Sequence, residues 1–247
     1  MRHPFFAASR PLVFALRGGS ALAPENTIAA FDNGLALGAD GLELDVQLSR
    51  DARVVVHHDA TLDRTTTLSG PIAGRTADEL ARAGVPTLAD MLARYRDARL
   101  IIELKLNRAE LAHAVVDLVR RADAIDRVCL GAFGRRVLRA ARAVEPAIAT
   151  SAAREEVRWA LYRSWVHLPV GRVPYQGYQI PEWAGSTRVV SPRFVAAAHT
   201  AGLAVQVWTV DREADARRLL GWGVDALITD RPDVIVPLVA GCRPVSP

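Results

Sequence analysis

Short apolar runs alternate along the chain with longer Ala-, Leu- and Arg-rich segments in which apolar residues recur at helical spacing. Eight of the short runs are predicted to be strands: 12–16, 41–46, 99–104, 127–132, 146–150, 176–180, 203–209 and 225–229. Helices are predicted between them at 26–37, 109–123, 134–144, 154–165, 192–201 and 211–221. This alternation is typical of parallel strands joined by helices, so the pattern predicts an α/β protein.

About eight strand–helix units in 247 residues predict a TIM (β/α)8 barrel. We expect residues 1–247 to form a single domain, because no linker or low-complexity tract divides the chain. The alternative is a doubly wound open sheet, which the lack of a glycine-rich phosphate loop disfavours. Residues 60–98 hold no clear strand–helix unit, and residues 166–190 read as an irregular loop rich in Pro, Gly, Trp and Tyr. In a barrel, such insertions often lie on the face that carries the site.

The composition suits a protein with a large core, because half of the residues are hydrophobic and the mean hydropathy is +0.11. The formal charge is +4, but the 27 acidic residues are interspersed with the arginines. This favours an anionic small ligand or a lipid headgroup as partner and disfavours nucleic acid. No apolar stretch approaches the roughly 20 residues of a membrane helix, so we expect no stable membrane insertion.

Cys129 and Cys242 are far apart in the sequence and lack the spacing of a metal site. We therefore expect neither a disulfide framework nor a zinc centre. A reducing compartment follows as the expected location, and we predict that the protein is cytoplasmic.

A cluster of carboxylates is predicted at the C-terminal ends of neighbouring strands. Glu43 and Asp45 alternate with apolar residues in the run GLELDV, so both side chains point to the same side of the strand. Glu103 stands at the end of the next parallel strand, and Lys105 follows with the same parity. These side chains should therefore converge at the face where barrel enzymes build their sites.

A short hairpin is predicted directly after the second strand. The segment SRDAR reads as a tight turn, and VVVHHD reads as an antiparallel return strand. A two-residue loop would place His58 opposite Asp45, whereas a three-residue loop would place His57 there. Both registers bring an imidazole next to the carboxylates.

Three carboxylates with a lysine and a histidine form a hard, oxygen-rich site, which suits one divalent cation, Mg²⁺ or Ca²⁺, better than Zn²⁺. Lys105 is the sole lysine among 31 basic Lys and Arg residues. Its compact ammonium fits a crowded anionic centre that a planar guanidinium does not, so we predict that it helps to neutralise a phosphoryl group beside the cation. The alternative is a set of solvated strand-end charges and a lysine retained by chance.

Four ordered stretches resemble the glycerophosphodiester phosphodiesterase family over nearly the whole chain: RGGSALAPENTIAAFDNGLALGADGLELDVQLSRDARVVVHHDATLDRTT, IIELK, VWTVD and GVDALITDRPD. As a set they are far more specific than any one of them. The resemblance implies a TIM barrel that binds Mg²⁺ or Ca²⁺ through Glu43, Asp45 and Glu103.

The resemblance also implies roles for other residues around the cation. His58 would be a general acid/base, Lys105 and Arg17 would contact the phosphate, and Trp208 would wall the substrate pocket. Glu25 and Asn26, in the motif PENT, would lie on the same face, and Glu25 would belong to the substrate site. For Trp208, the alternative is a structural role as a core aromatic.

One departure from the family pattern affects the expected activity. The family motif opens with His-Arg-Gly, and its histidine is the second half of the acid/base pair, whereas residues 16–18 read Leu-Arg-Gly. A positioned acid or base contributes roughly 10²–10⁴-fold in rate, and Leu16 supplies neither. His57 and His3 are the nearby candidates to replace it. However, His57 should face away from His58, and His3 lies in a terminal segment expected to be mobile.

The leading hypothesis is an enzyme that hydrolyses a small-molecule substrate, a glycerophosphodiester, to an alcohol and sn-glycerol 3-phosphate, with activity weakened by Leu16. The alternative is a catalytically silent barrel that still binds a metal and a phosphodiester. A weaker alternative is a related phosphodiesterase acting on lysolipids or sphingolipids, which an exposed apolar loop within 166–190 would favour.

Overall fold

The computed structural model describes residues 3–240, and its strands form a nearly closed barrel. The strands are β1 (Leu12–Leu16), β2 (Gly41–Leu48), β3 (Val54–Val56), β4 (Arg99–Leu104), β5 (Val128–Gly131), β6 (Ala149–Thr150), β7 (Gly177–Pro181), β8 (Trp183–Ala184), β9 (Thr187–Arg188), β10 (Ala204–Trp208) and β11 (Ala226–Thr229). All except β3, β8 and β9 belong to the barrel, where neighbours pair in parallel in the order β6-β5-β4-β2-β1-β11-β10-β7.

The barrel closes between β6 and β7. There, a parallel bridge joins Ser151 to Gly177, and the amide of Ala152 donates to the Gly177 carbonyl at 2.9 Å. The predicted TIM barrel is therefore confirmed. The doubly wound alternative is wrong, since an open sheet would leave these two strands as unpaired edges.

Helices lie outside the barrel and cover the strands. Their bounds are α1 (Ile28–Ala36), α2 (Ala77–Arg82), α3 (Leu88–Arg94), α4 (Ala109–Arg121), α5 (Arg135–Val144), α6 (Arg154–Trp165), α7 (Pro192–Thr200), α8 (Glu213–Gly221) and α9 (Pro232–Ala240). Each predicted helix is present, with ends within two residues of the prediction. At the start of α1, the Thr27 hydroxyl accepts from the Ala30 amide at 3.2 Å, which begins the helix two residues later than predicted. Within residues 3–240, no helix is long and apolar enough to cross a bilayer.

The segment between β3 and β4 is more regular than its sequence suggested. Residues 60–98 contain α2 and α3, each opened by a capping box in which Thr76 pairs with Glu79 and Thr87 pairs with Asp90. Both helices are short, at six and seven residues, so they carry too few turns for a clear periodic pattern.

Aromatic side chains fill the N-terminal end of the barrel. Phe5 lies fully buried and stacks on Phe14 with ring centroids 5.6 Å apart. His3 accepts a hydrogen bond from the Phe5 amide, and its other ring nitrogen lies 2.9 Å from the Ala147 carbonyl oxygen. His3 is thus held at the end of the barrel opposite to the strand C-termini, where the predicted site lies.

Cys129 is buried on β5 inside the barrel, and burial raises the pKa of its thiol. It is a free cysteine. The other residue considered for a disulfide, Cys242, lies outside the described residues.

Candidate active site

Three carboxylates converge at the C-terminal end of the barrel. Glu43 and Asp45 project inward from β2, and Asp45 is the register partner of Glu103 on β4. One oxygen from each of the three side chains lies within 4.8 Å of the others, and Glu43 and Asp45 are only 4% and 1% exposed. Burial, followed by repulsion from Asp45 and Glu103, raises the pKa of Glu43 well above its usual range. Burial is also the main cause of the raised pKa of Glu103.

This donor set fits a hard divalent cation. Three carboxylate oxygens match the preference of Mg²⁺ and Ca²⁺, and a cation between them would favour the ionised carboxylates against the burial and repulsion that raise these pKa values. Among residues 3–240, Glu43, Asp45 and Glu103 form the one group of His, Cys, Asp and Glu side chains whose ligand atoms lie close enough together to hold a metal ion.

Lys105 and Arg17 flank the carboxylates. The Lys105 ammonium lies 3.0 Å from Glu103 Oε1 and 3.4 Å from Asp45 Oδ1. Burial opposes its charge, but the two carboxylates outweigh burial and raise the pKa of Lys105. Arg17 Nε is buried 3.2 Å from Asp45 Oδ2, without the alignment of a hydrogen bond. Both cations are therefore held at the site and remain charged.

A left-handed turn after β1 positions Arg17. Its φ is +51°, and its amide donates to Glu43 Oε2 at 3.1 Å. Gly18 follows with φ +89°, and a Cβ there would lie 2.6 Å from the backbone of Ala30. A glycine is therefore required at position 18 for the turn to pack against α1.

Asn26 orients Asp45 through contacts to its side chain and backbone. It is 4% exposed, and its side-chain amide donates to Asp45 Oδ2 at 2.9 Å while its carbonyl oxygen lies 3.4 Å from the Asp45 amide nitrogen. Its φ of +58° is a conformation that asparagine tolerates better than most residues. The sequence resemblance implies that Asn26 lies on this face but gives it no role.

The imidazole at the site is His58. The hairpin has the three-residue loop, because Val46 pairs with Val56 and Leu48 with Val54. This register sets His57 opposite Asp45, and the His57 amide donates to the Asp45 carbonyl at 2.9 Å. The prediction that this register would put the His57 ring at the carboxylates is nevertheless wrong.

The two histidine rings diverge because the chain leaves the ladder after Val56. The His57 ring is buried, and its Nε2 lies 3.1 Å from the Thr61 carbonyl oxygen. His58 instead lines the cavity. The buried Gln47 amide, inward on β2 two residues after Asp45, donates to the carbonyls of both histidines at 3.1 and 3.2 Å and fixes this turn.

Asp59 fixes the His58 ring. His58 Nδ1 lies 2.7 Å from Asp59 Oδ1, and Arg64 Nε donates to Asp59 Oδ2 at 2.6 Å. Hydrogen bonding from Arg64 and then His58 outweighs burial and holds the pKa of Asp59 far below its usual range. An ionised Asp59 favours the tautomer with the proton on Nδ1, which leaves Nε2 free for proton transfer.

Replacing Asp59 by Asn should lower turnover by at least about tenfold, because the ring would lose the partner that sets its tautomer and orientation. The check is kcat for the hydrolysis that the sequence resemblance implies, compared with the control Asp78→Asn, which removes a carboxylate from the exposed Arg53 pair. Unchanged kcat in Asp59→Asn would show that Asp59 does not position His58.

Glu25 lies behind Arg17 and is absent from the residues that line the cavity. Arg17 and Arg64 donate to its carboxylate, with Arg64 Nη2 at 2.6 Å. Burial opposes ionisation, but the two arginines lower the pKa of Glu25. In this geometry Glu25 holds the guanidinium groups of Arg17 and Arg64.

Leu16 ends β1 as the register partner of Glu43 and lines the same cavity. The Leu16 side chain packs against the apolar barrel interior. Because it is a hydrocarbon, it offers no group that transfers a proton. Among the described residues, His58 is the sole imidazole that lines the cavity. Neither His57 nor His3 reaches it.

The cavity has a volume of about 800 Å³ and extends from the charged cluster to an apolar wall. Trp208 is partly buried, and its ring is edge-on to the Phe133 ring at a centroid distance of 6.1 Å. It lines the cavity and also packs on the barrel core. Further apolar lining comes from α6 and β8, including Leu161, Trp165 and Trp183.

Comparisons with known proteins agree with this geometry. The model of the "Glycerophosphoryl diester phosphodiesterase family" matches residues 17–234. A "Glycerophosphodiester phosphodiesterase" of Caldanaerobacter subterraneus subsp. tengcongensis is 29% identical, with 93% of this chain and 98% of the relative covered. A "Probable glycerophosphodiester phosphodiesterase 2" of Mycobacterium tuberculosis is 32% identical, with 86% and 84% covered.

A solved Oleispira antarctica phosphodiesterase, in complex with the product sn-glycerol-3-phosphate, superposes with a TM-score of 0.78 at 28% identity. The alignment covers 94% of this chain and 98% of that one. Because the family model spans most of the chain, from Arg17 at the carboxylate cluster to the start of the last helix, the chain belongs to the glycerophosphoryl diester phosphodiesterase family.

Proposed function

We propose that the protein hydrolyses glycerophosphodiesters to an alcohol and sn-glycerol 3-phosphate in a reaction that needs one divalent cation, Mg²⁺ or Ca²⁺. The observation that carries the proposal is the convergence of three carboxylates, two cationic side chains and one imidazole in a single cavity of a chain from this family. The solved relative that contains sn-glycerol-3-phosphate supports the choice of product.

The carboxylates and the cationic side chains of the site would have different roles. Glu43, Asp45 and Glu103 would hold the cation, which supplies Lewis-acid polarisation of the phosphoryl group when bound. Arg17 and Lys105 would neutralise the phosphoryl oxygens. Asn26, through its hydrogen bond to Asp45, keeps a ligand carboxylate in place.

Proton transfer depends on His58. Phosphodiester cleavage needs a base for the attacking oxygen and an acid for the departing alkoxide. His58, held at Nδ1 by Asp59, presents one such group, and Leu16 occupies the position from which a second imidazole would act. We therefore propose slow turnover, limited by one unassisted proton transfer.

The same observation favours a second candidate function. A barrel with intact carboxylates and cationic side chains but one missing proton-transfer group could bind a metal and a phosphodiester without cleaving it.

A lipid-linked phosphodiester is an alternative substrate, since Val166, Leu168 and Trp183 in the segment 166–190 are exposed apolar residues.

Product analysis separates these functions. Glycerophosphocholine is incubated with the protein and Mg²⁺ or Ca²⁺, and the phosphorus-containing products are identified by ³¹P NMR. We expect sn-glycerol 3-phosphate, and we expect its formation to stop when a chelator removes the cation. Phosphocholine as the product would contradict the proposed bond cleavage, and no product after prolonged incubation would favour the silent barrel.

Lys105→Arg should weaken binding of sn-glycerol 3-phosphate nearly as much as Lys105→Ala, although it keeps the charge. The ammonium fits within 3.4 Å of two carboxylates, where the larger planar guanidinium cannot take the same position. The check is the dissociation constant by titration calorimetry, with Arg108→Lys as a charge-preserving control on the surface. Parent-like affinity in Lys105→Arg would mean that the lysine has no special role.

A further inference from the structure

Exposed apolar side chains are concentrated on one side of the cavity mouth. Within residues 3–240, nine large hydrophobic residues are exposed, and all but Leu22 and Leu37 lie in three segments that border the cavity. We call these seven the aromatic patch: Phe133, Trp159, Tyr162, Trp165, Val166, Leu168 and Trp183. A concentration of this kind on a soluble protein marks an interaction surface.

Helix α6 forms the centre of the aromatic patch. Trp159, Tyr162 and Val166 are spaced three and four residues apart, on the face opposite to the buried Ala160 and Ser164. The rings of Trp159 and Tyr162 stack at 6.1 Å, and the two side chains are 59% and 53% exposed. The outward face of a helix on a soluble barrel is normally polar, so nothing in barrel packing accounts for these rings.

The net charge of the chain also lies in these three segments. Residues 133–136, 154–172 and 181–188 hold seven arginines and three glutamates, out of 31 basic and 27 acidic residues in the chain. The rest of the chain therefore carries 24 of each sign, and the whole formal charge of +4 belongs to the surroundings of the aromatic patch.

Most of the acidic charge in these segments is already paired. Glu156 binds Arg142, and Glu182 binds both Arg188 and Arg218. By contrast, six of the seven arginines form no ion pair with any carboxylate in the described part of the chain, Arg188 being the exception: Arg135, Arg136, Arg154, Arg158, Arg163 and Arg172. The surface around the patch thus presents unpaired positive charge to solvent.

We propose that the aromatic patch docks the protein on the surface of an anionic phospholipid bilayer, with the cavity mouth facing the lipid. Trp and Tyr rings suit the boundary between headgroups and acyl chains, and arginines beside them reach anionic headgroups. The orientation follows from Phe133, Trp165 and Trp183, which belong to the patch and also line the cavity.

The charge distribution favours a bilayer over a second copy of the chain, because two copies joined through the patch would bring like-charged arginines together. The exposed aliphatic side chains of Val166 and Leu168 suit the hydrocarbon boundary and have no role in contacts to nucleic acid phosphates.

Vesicle binding tests the proposal without turnover, so its outcome is independent of the proposed function. The full-length protein is sedimented with vesicles of phosphatidylcholine alone or of phosphatidylcholine with phosphatidylglycerol. We expect binding to the phosphatidylglycerol vesicles that weakens as salt is raised, and little binding to phosphatidylcholine alone. Brominated acyl chains should quench tryptophan fluorescence in the bound protein, which needs no variant.

Two pairs of variants locate the surface. Trp159→Ser with Tyr162→Ser should lower the partition coefficient about tenfold or more, whereas the control Leu37→Ser, at the end of α1, should leave it unchanged. Arg135→Gln with Arg172→Gln should lower it about tenfold. The control Arg82→Gln with Arg96→Gln removes the same charge elsewhere on the surface.

Equal losses in the arginine pair and its control would overturn the proposal, because net charge alone would then explain binding. Absence of binding to anionic vesicles would also overturn it. Self-association that is lost in Trp159→Ser with Tyr162→Ser would assign the patch to a second copy of the chain instead, and binding of single-stranded RNA but not of vesicles would assign it to nucleic acid.

Discussion

The Leu16→His variant is expected to hydrolyse glycerophosphocholine roughly 10²–10⁴-fold faster than the parent protein. Leu16 is the register partner of Glu43 and shares the cavity with His58, so an imidazole in its place would stand beside the carboxylates. The gain corresponds to roughly 3–5 kcal/mol of transition-state stabilisation, the usual contribution of one positioned acid or base.

The control for this variant is Leu16→Gln, which has a similar size and a polar end but cannot transfer a proton. Both variants are compared with the parent by kcat at saturating cation. An increase in Leu16→His alone supports the missing proton-transfer group. Equal rates in all three proteins, or an equal increase in Leu16→Gln, would contradict this interpretation of position 16.

Millimolar Mg²⁺ or Ca²⁺ should raise the melting temperature by about 5–10 °C, whether or not the protein is active. The proposed ligands Glu43, Asp45 and Glu103 do not depend on residue 16. A cation that binds only the folded state stabilises it by about 2.7 kcal/mol at one hundred times the dissociation constant. The measurement is thermal unfolding with each cation and with a chelator.

Glu43→Gln should have opposite effects with and without cation. The folded-state pKa of Glu43 is raised above its unfolded value, so ionisation of this carboxyl destabilises the folded protein. The stability associated with the protonated form is fully present at low pH and is lost as pH rises through the folded pKa. At neutral pH without cation, Glu43→Gln should therefore melt above the parent, and the response to cation should largely disappear.

The control Glu155→Gln removes an exposed carboxylate and should change neither property. At lower pH, the cation should raise the melting temperature of the parent by less, because protons compete with it for carboxylates whose pKa values are raised. A melting temperature that does not respond to either cation would show that the three carboxylates are not a metal site.

The barrel was predictable because each strand is a short apolar run set between longer segments with helical periodicity. The carboxylate cluster followed from parity, since Glu43 and Asp45 alternate on β2 and Glu103 ends the next strand. Gln47 has the same parity, and that signal could have identified it as an inward polar residue.

Other features depend on long-range geometry that has no local pattern. The choice between His57 and His58 depended on loop length and on the bend after Val56, and strand parity alone gave the wrong histidine for the observed register. The ion pairs of Arg64 with Asp59 and Glu25 join separate loops. The basic surroundings of the aromatic patch were also hidden, because the arginines belong to three segments that are separate in the sequence and meet only around the cavity.

Release of sn-glycerol 3-phosphate from glycerophosphocholine, measured for the parent and for His58→Ala at saturating Mg²⁺ or Ca²⁺, tests the central claim most directly. The predicted result is slow but measurable turnover in the parent, below the about 1–10³ s⁻¹ of typical enzymes, and a further loss of about 100-fold or more in His58→Ala. Equal rates in the two proteins would contradict catalysis by His58, and a parent rate within the typical range would contradict the assigned effect of Leu16.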